Sequence, residues 1–263
     1  MGAAIHSQAI VNASAEIGDG VEIGPFCVIG PNAKLAAGVR LLSHVTISGD
    51  TTVGERTIIH PFTALGEPPQ DLKYKGEPTR LRVGADNVIR EHVTLHLGTV
   101  QGGGETSIGN KNFFMAGSHV GHDCTVGNGI VFANAAILGG RVSVQDFVIL
   151  GGHSAVHQLG RIGPYAFIGG GAAVTGDVIP FGMVDNHGYL HGLNLVGLKR
   201  RGFKRETIND LRAAYRHLFE GGGHFNDRVE QAAETYAGIA EVMKIIEFIR
   251  ASQQRPLCIP RTL

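Results

Sequence analysis

The chain of 263 residues has no tryptophan, three cysteines, 6% aromatic residues and only 17% charged ones. So little aromatic bulk argues against one thick globular interior. The 43% hydrophobic content and 39 glycines suit thin stacked layers filled by short aliphatics. Cys27, Cys124 and Cys258 show no metal-ligand spacing and cannot all pair, which fits a reducing compartment. Lysine plus arginine balances aspartate plus glutamate at 23 each, so no overall field points to nucleic acid or a membrane surface. A charged partner has to be met by a local patch. No apolar run approaches the roughly 20 residues of a membrane helix, and the N-terminus lacks a basic region followed by an apolar core. The expectation is a soluble cytoplasmic protein with no nucleic-acid partner and no stable membrane insertion.

What the chain has is a beat of six. Ile5, Val11, Ile17, Ile23, Ile29, Leu35, Leu41, Ile47, Val53, Ile59 and Leu65 are evenly spaced. After an interruption the beat runs again through Ile108, Phe114, Val120, Val126, Phe132, Leu138, Val144, Leu150, Val156, Ile162, Ile168 and Val174. A small residue often falls four positions after a hit, as at Ala33, Ser118, Cys124, Ala136 and Ala166. Neither the 3.6-residue period of a helix nor the two-residue period of a strand produces this. A repeat of short strand plus turn, winding into a parallel β-solenoid, does. Three hexads per coil stack residues 18 apart.

The beat fails twice. Residues 66–82 place Asp71 and Glu77 where aliphatics are due, and 96–107 contain Gln101-Gly102-Gly103-Gly104 and shift the phase by one residue. Both predict loops bulging from the coil, where function often sits. The glycine run is no phosphate loop, since no Gly-Lys-Ser/Thr follows it. The expected division is a solenoid over 1–184 and an α-helical domain over 185–263, with helices over 205–219, 227–236 and 239–250. The helical part covers the open end of the last coil.

Polar residues interrupt the solenoid pattern at Ser118-His119-Val120-Gly121-His122-Asp123-Cys124. His119 precedes an inward valine and so points outward, His122 falls at the following corner, and Asp123 is placed to orient its imidazole as a base. His157, with Gln158 beside it, lies two coils further along the same region. Arg141 is 18 residues after Asp123, so the two stack as an ion pair on adjacent coils. An exposed pair of that kind is worth little. Cys124 occupies an inward small position, where a thiol acts as a hydrophobe rather than a nucleophile. Lys199-Arg200-Arg201, with Lys204 and Arg205, is a local basic run suited to a diphosphate or an acidic protein.

Several segments together resemble the UDP-N-acetylglucosamine O-acyltransferases of lipid A synthesis. They are Gln70-Asp71-Leu72-Lys73-Tyr74 with Gly76-Glu77-Pro78-Thr79-Arg80, Gly98-Thr99-Val100-Gln101-Gly102-Gly103-Gly104, His122-Asp123-Cys124-Thr125-Val126-Gly127 and Gly197-Leu198-Lys199-Arg200-Arg201-Gly202-Phe203. The resemblance spans nearly the whole chain. It implies an all-β solenoid followed by α-helices, with the solenoid a left-handed parallel β-helix, an exception to the right-handed crossover rule. It also implies a homotrimer with active sites in clefts between subunits. The reaction implied moves an (R)-3-hydroxyacyl group from acyl carrier protein to the glucosamine 3-hydroxyl of UDP-N-acetylglucosamine, with no metal or cofactor. By resemblance, His122 is the general base, Asp123 its orienting partner and Gly140 the oxyanion position. His119, His157 and Gln158 meet the sugar nucleotide or acyl donor, and Asp71 and Lys73 are substrate-binding loop positions. His187, Asn194, Arg200 and Arg201 belong to the nucleotide side, and Gly170 to acyl-chain length.

Two positions depart from that pattern: Arg141 stands where a histidine is expected and Val196 where an acidic residue is usual. They leave the acceptor open between the 3-hydroxyl sugar and its 3-amino analogue, and acyl length is not set by Gly170 alone. The competing expectations are a related N-acyltransferase, a zinc carbonic anhydrase recruiting His119, His122 and His92 or His96, and a purely structural solenoid.

Overall fold

The computed structural model describes residues 2–252 and 255–261. Most of its strands are two residues long, one side chain outward and the beat residue inward, as in Glu22–Ile23 and Arg40–Leu41. Strands pair in parallel with the coil above and below. Glu22 meets Arg40, Ile23 meets Leu41, and Ser143 meets Arg161, each a step of 18. The result is a three-sided parallel β-helix whose sides are sheets of 11, 9 and 8 strands. Ile47, Leu65, Phe114, Phe132 and Leu150 are fully buried on its axis. Each such side chain contributes about 1.5–3 kcal/mol of burial.

The two excursions are read from the register. Asp50 pairs with Arg80, so a step of 30 replaces 18 and twelve residues are added. Thr94 pairs with His119, so a step of 25 adds seven, one hexad plus the single residue seen as a phase shift. Both excursions are shorter than 66–82 and 96–107. Strands Ala64–Glu67 and Arg80–Val83 leave 68–79 free, and Thr94–His96 and Glu105–Ile108 leave 97–104. Arg80–Val83 is bonded on both sides, to Asp50–Val53 and Glu105–Ile108. Backbone groups that find ladder partners stay in the sheet, and only the remainder bulges.

Past the coils, Leu190–Leu193 turns back antiparallel to Gly182–Val184 and extends the 11-stranded sheet. The helices therefore start later than residue 185. They are α1 (Leu195–Arg200), α2 (Arg205–Glu220), α3 (Phe225–Thr235) and α4 (Ala240–Arg250). Helix α1 has no apolar stripe to announce it; only Leu198 is buried. Asp177 ties the C-terminal tail to the coil. Its fully buried carboxylate accepts from Arg161 Nε at 2.7 Å and Arg255 Nε at 3.1 Å, and Cys258 N donates to its carbonyl at 2.8 Å. Among the described residues no helix is long and apolar enough to cross a membrane.

Candidate functional site

After strand His119–Val120 the chain turns through Gly121, His122 and Asp123 before Cys124 returns to the interior. Asp123 takes φ of +60°, a left-handed conformation that aspartate tolerates better than most residues. Its carboxylate is buried and fully engaged. Oδ1 accepts from Thr99 N at 2.6 Å, and Oδ2 accepts from Thr99 Oγ1 at 2.6 Å. His122 Nδ1 lies 2.7 Å from the same Oδ2, and Thr106 Oγ1 receives the Asp123 backbone N–H at 2.8 Å. A carboxylate can only accept, so Nδ1 of His122 carries the proton and Nε2 keeps its lone pair.

The second excursion supplies this support. Thr99 caps the short 3-10 turn Val100–Gly102, and Gly102 presses on the aspartate. A Cβ there would lie 2.0 Å from Asp123 Cγ, so only glycine fits. Gly140 plays the same part for the histidine: a Cβ on it would lie 2.5 Å from Cε1 and Nε2 of His122. The ring therefore packs against Gly140 of the next coil.

His122 lines a cavity of about 470 Å³. Its polar wall is His96, His119, His122, His157, Gln158 and Gln70, and Ile137, Leu138 and Val156 give it an apolar side. His119 Nδ1 is 2.7 Å from Thr94 Oγ1, and its ring meets His96 edge-on at 5.0 Å. Burial, then the neighbouring His96 and His122, push His119 down to about 4. Burial also lowers His96, whose Nδ1 has no partner among the described residues. These imidazoles are neutral wall groups at neutral pH. Cys124 is buried, its Sγ 3.1 Å from Gly139 O, and burial pushes the thiol up to about 12. It is no nucleophile.

The residues singled out in the sequence fall into two groups. His119, His122, Asp123, Gly140, His157 and Gln158 come together around this cavity. Asp71, Lys73, His187, Asn194, Arg200, Arg201 and Gly170 are not in its lining. Asp71 Oδ1 accepts from Lys73 N at 2.9 Å, so the loop binds its own backbone there. Both ends of the Asn194 amide are used to cap α1 and hold Tyr165 O. Arg201 stacks 4.4 Å over Phe147, while Arg200, His187 and Gly170 are exposed. His92 stacks on Phe62 at 5.1 Å in a column with His44 and Phe26, outside the cavity lining. Thr94, Thr99, Gly102 and Gln70 had no individual role in the sequence analysis. Thr99 carries the one local signal, a capping residue three before Gly102.

The sequence profile of the family described as "Udp N-acetylglucosamine O-acyltransferase; Domain 2" matches residues 177–258. The acyl-[acyl-carrier-protein]–UDP-N-acetylglucosamine O-acyltransferase of Caulobacter vibrioides is 57% identical over 213 residues, 81% of each chain. The protein of that name from Rhizobium etli is 47% identical over 214 residues, 81% of this chain and 79% of its own. Among solved structures, the UDP-N-acetylglucosamine O-acyltransferase of Moraxella catarrhalis superposes with a TM-score of 0.93 at 39% identity, covering 97% of this chain and 99% of its own. The Arabidopsis UDP-N-acetylglucosamine acyltransferase gives 0.84 at 35% identity, over 97% and 99%. The coil is accordingly the left-handed parallel β-helix. With this likeness in sequence and in fold over nearly its full length, the chain belongs to the UDP-N-acetylglucosamine O-acyltransferase family.

Proposed function

We propose that the protein transfers an (R)-3-hydroxyacyl group from acyl carrier protein to the 3-hydroxyl of UDP-N-acetylglucosamine, the first step of lipid A synthesis, with His122 as general base. One observation carries the catalytic part: a buried carboxylate fixes the Nδ1–H tautomer of His122, so Nε2 is the basic nitrogen of a residue that lines a cavity. As the sugar oxygen bonds to the thioester carbon, its proton passes to Nε2. The carbonyl oxygen takes the negative charge, and the backbone N–H of Gly140, the residue against which the His122 ring packs, is the donor assigned to it. Collapse breaks the C–S bond and Nε2 returns the proton to the leaving thiolate. His119, His157 and Gln158 orient substrate from the cavity wall. The apolar side formed by Ile137, Leu138 and Val156 suits an acyl tail, and Gly170, outside that lining, is assigned to acyl-chain length.

Asp71, Lys73, His187, Asn194, Arg200 and Arg201 are assigned to substrate across an interface with a second copy. Their absence from the lining of their own chain's cavity supports that assignment, in a homotrimer with clefts between subunits. Ile10, Phe26, Val28 and Phe62 are large apolar side chains left exposed, available for such contact. In this arrangement 1–184 supplies the cleft and 185–263 the face toward the carrier protein, and the protein acts in the cytoplasm.

The test is a transfer assay with purified protein, acyl carrier proteins of graded chain length, and either UDP-N-acetylglucosamine or its 3-amino analogue. The ester on UDP-N-acetylglucosamine is the expected product, in a particle three times 27.8 kDa by light scattering. Preference for the amine would move the activity to the 3-amino sugar. Loss of turnover on chelation, restored by zinc, would replace it with metal chemistry.

A further inference from the structure

We infer that Arg141 is a positioning residue for this reaction: its guanidinium, one coil on, holds the Asp123 carboxylate in the orientation that keeps His122 aimed at the cavity. This builds on His122 as the base.

One oxygen, Asp123 Oδ2, receives three groups: Thr99 Oγ1 at 2.6 Å, His122 Nδ1 at 2.7 Å and Arg141 Nε at 3.9 Å. The aspartate side chain has 0% exposure and the arginine 38%. A buried carboxylate with no countercharge is costly, and the two Thr99 donors are neutral. Arg141 is the permanent cation in contact with it among the described residues. At 3.9 Å the contact is one of charges rather than a hydrogen bond, so it acts through field and orientation.

Its place is fixed by the backbone. Arg141 N donates to His122 O at 2.8 Å, and its φ of +61° repeats the +60° of Asp123. The two side chains therefore leave the same corner one coil apart. Arg141 does not line the cavity, where the neighbouring residue Gly140 does. It acts through Asp123, not on substrate. The other ionisable groups around the cavity that His122 lines are His96, His119 and His157, with Glu67 near His96. None of them touches the Asp123 carboxylate.

The experiment compares Arg141→Gln, Arg141→Lys, Asp123→Asn and the Gln/Asn double variant in the transfer assay. Arg141→Gln lowers kcat about tenfold with KM for the sugar nucleotide within about twofold, and Arg141→Lys regains most of the loss. Added to Asp123→Asn, Arg141→Gln costs nothing further. The ¹⁵N spectrum of histidine-labelled protein gives a second readout without substrate: His122 is Nδ1–H in the wild type and a mixture of tautomers in Arg141→Gln. Arg141→Asn, whose side chain favours the left-handed corner, is the replacement should the glutamine variant not fold. An unchanged kcat and tautomer, even with a lowered melting temperature, reduces Arg141 to a surface ion pair and overturns the inference. So does a further full loss on top of Asp123→Asn, which means direct contact with substrate. If the wild type itself transfers no acyl group, the proposed function fails, and the tautomer still decides the role of Arg141.

Discussion

Gly102→Ala is the sharpest perturbation of the support beneath the base. The added Cβ would stand 2.0 Å from Asp123 Cγ, 1.4 Å short of the 3.4 Å at which ordinary contact begins. The carboxylate has nowhere to go, since both of its oxygens are bonded and its backbone N–H is held by Thr106. If the turn moves instead, Thr99 moves with it, because Thr99 caps that turn. Either response breaks at least one hydrogen bond to a charged group, about 1.5–3 kcal/mol. A misplacement of about 1 Å in a catalytic group costs on the order of a hundredfold. We expect kcat for acyl transfer to fall about 10- to 100-fold, with little change in KM for the sugar nucleotide. Gly104→Ala is the control. Gly104 has φ of +82° and nothing within 4 Å of an added Cβ, so alanine there strains the backbone by about 1 kcal/mol without reaching Asp123. Wild-type turnover in Gly102→Ala, or an equal loss in Gly104→Ala, would refute the claim that the glycine run exists for close approach to the aspartate.

The buried thiols give a second expectation: Cys27, Cys124 and Cys258 stay unmodified by a thiol reagent at pH 8 until the protein is denatured, and Cys124→Ala retains transfer. An acyl group trapped on Cys124 would contradict direct attack. His119 makes stability pH-dependent. Its value of about 4 lies below the unfolded 6.5, so between those values the unfolded chain binds more protons and stability falls as pH drops. Urea midpoints measured across that window should decline in the wild type and decline less steeply in His119→Gln, where the buried His96 still contributes. Asp177→Asn leaves Arg161 and Arg255 without their shared carboxylate, a loss of about 3–5 kcal/mol, read as a lowered melting temperature. A shift under one degree would mean the tail is held by other contacts.

The solenoid was legible because its period is covalent: every sixth side chain must fill the axis, and the register copies that spacing as a step of 18. The length of the excursions was not. Where they end depends on ladder partners a coil away, such as those pairing Arg80–Val83 on both sides. His122 and Asp123 could be picked out because polar residues at a solenoid corner stand against the pattern. Thr99 and Gly102 could not, since their service to Asp123, across 24 residues for Thr99, exists only after the second excursion folds onto the corner. Arg141 lay between these cases. Its 18-residue spacing from Asp123 placed it in the right column, but the buried partner that gives it weight appears only in the fold. Asp71, Lys73 and the residues near α1 do not line the cavity that His122 lines, so its geometry gives them no part.

The most direct measurement is transfer of a 3-hydroxyacyl group by His122→Ala, with the assembly checked by light scattering and the fold by its melting transition. His122 lies at a corner and not in the core, so the variant is expected to fold and assemble. Its kcat should fall by about 10²- to 10⁴-fold, with binding of UDP-N-acetylglucosamine reduced far less. Turnover within a few-fold of wild type in an intact assembly would contradict the account.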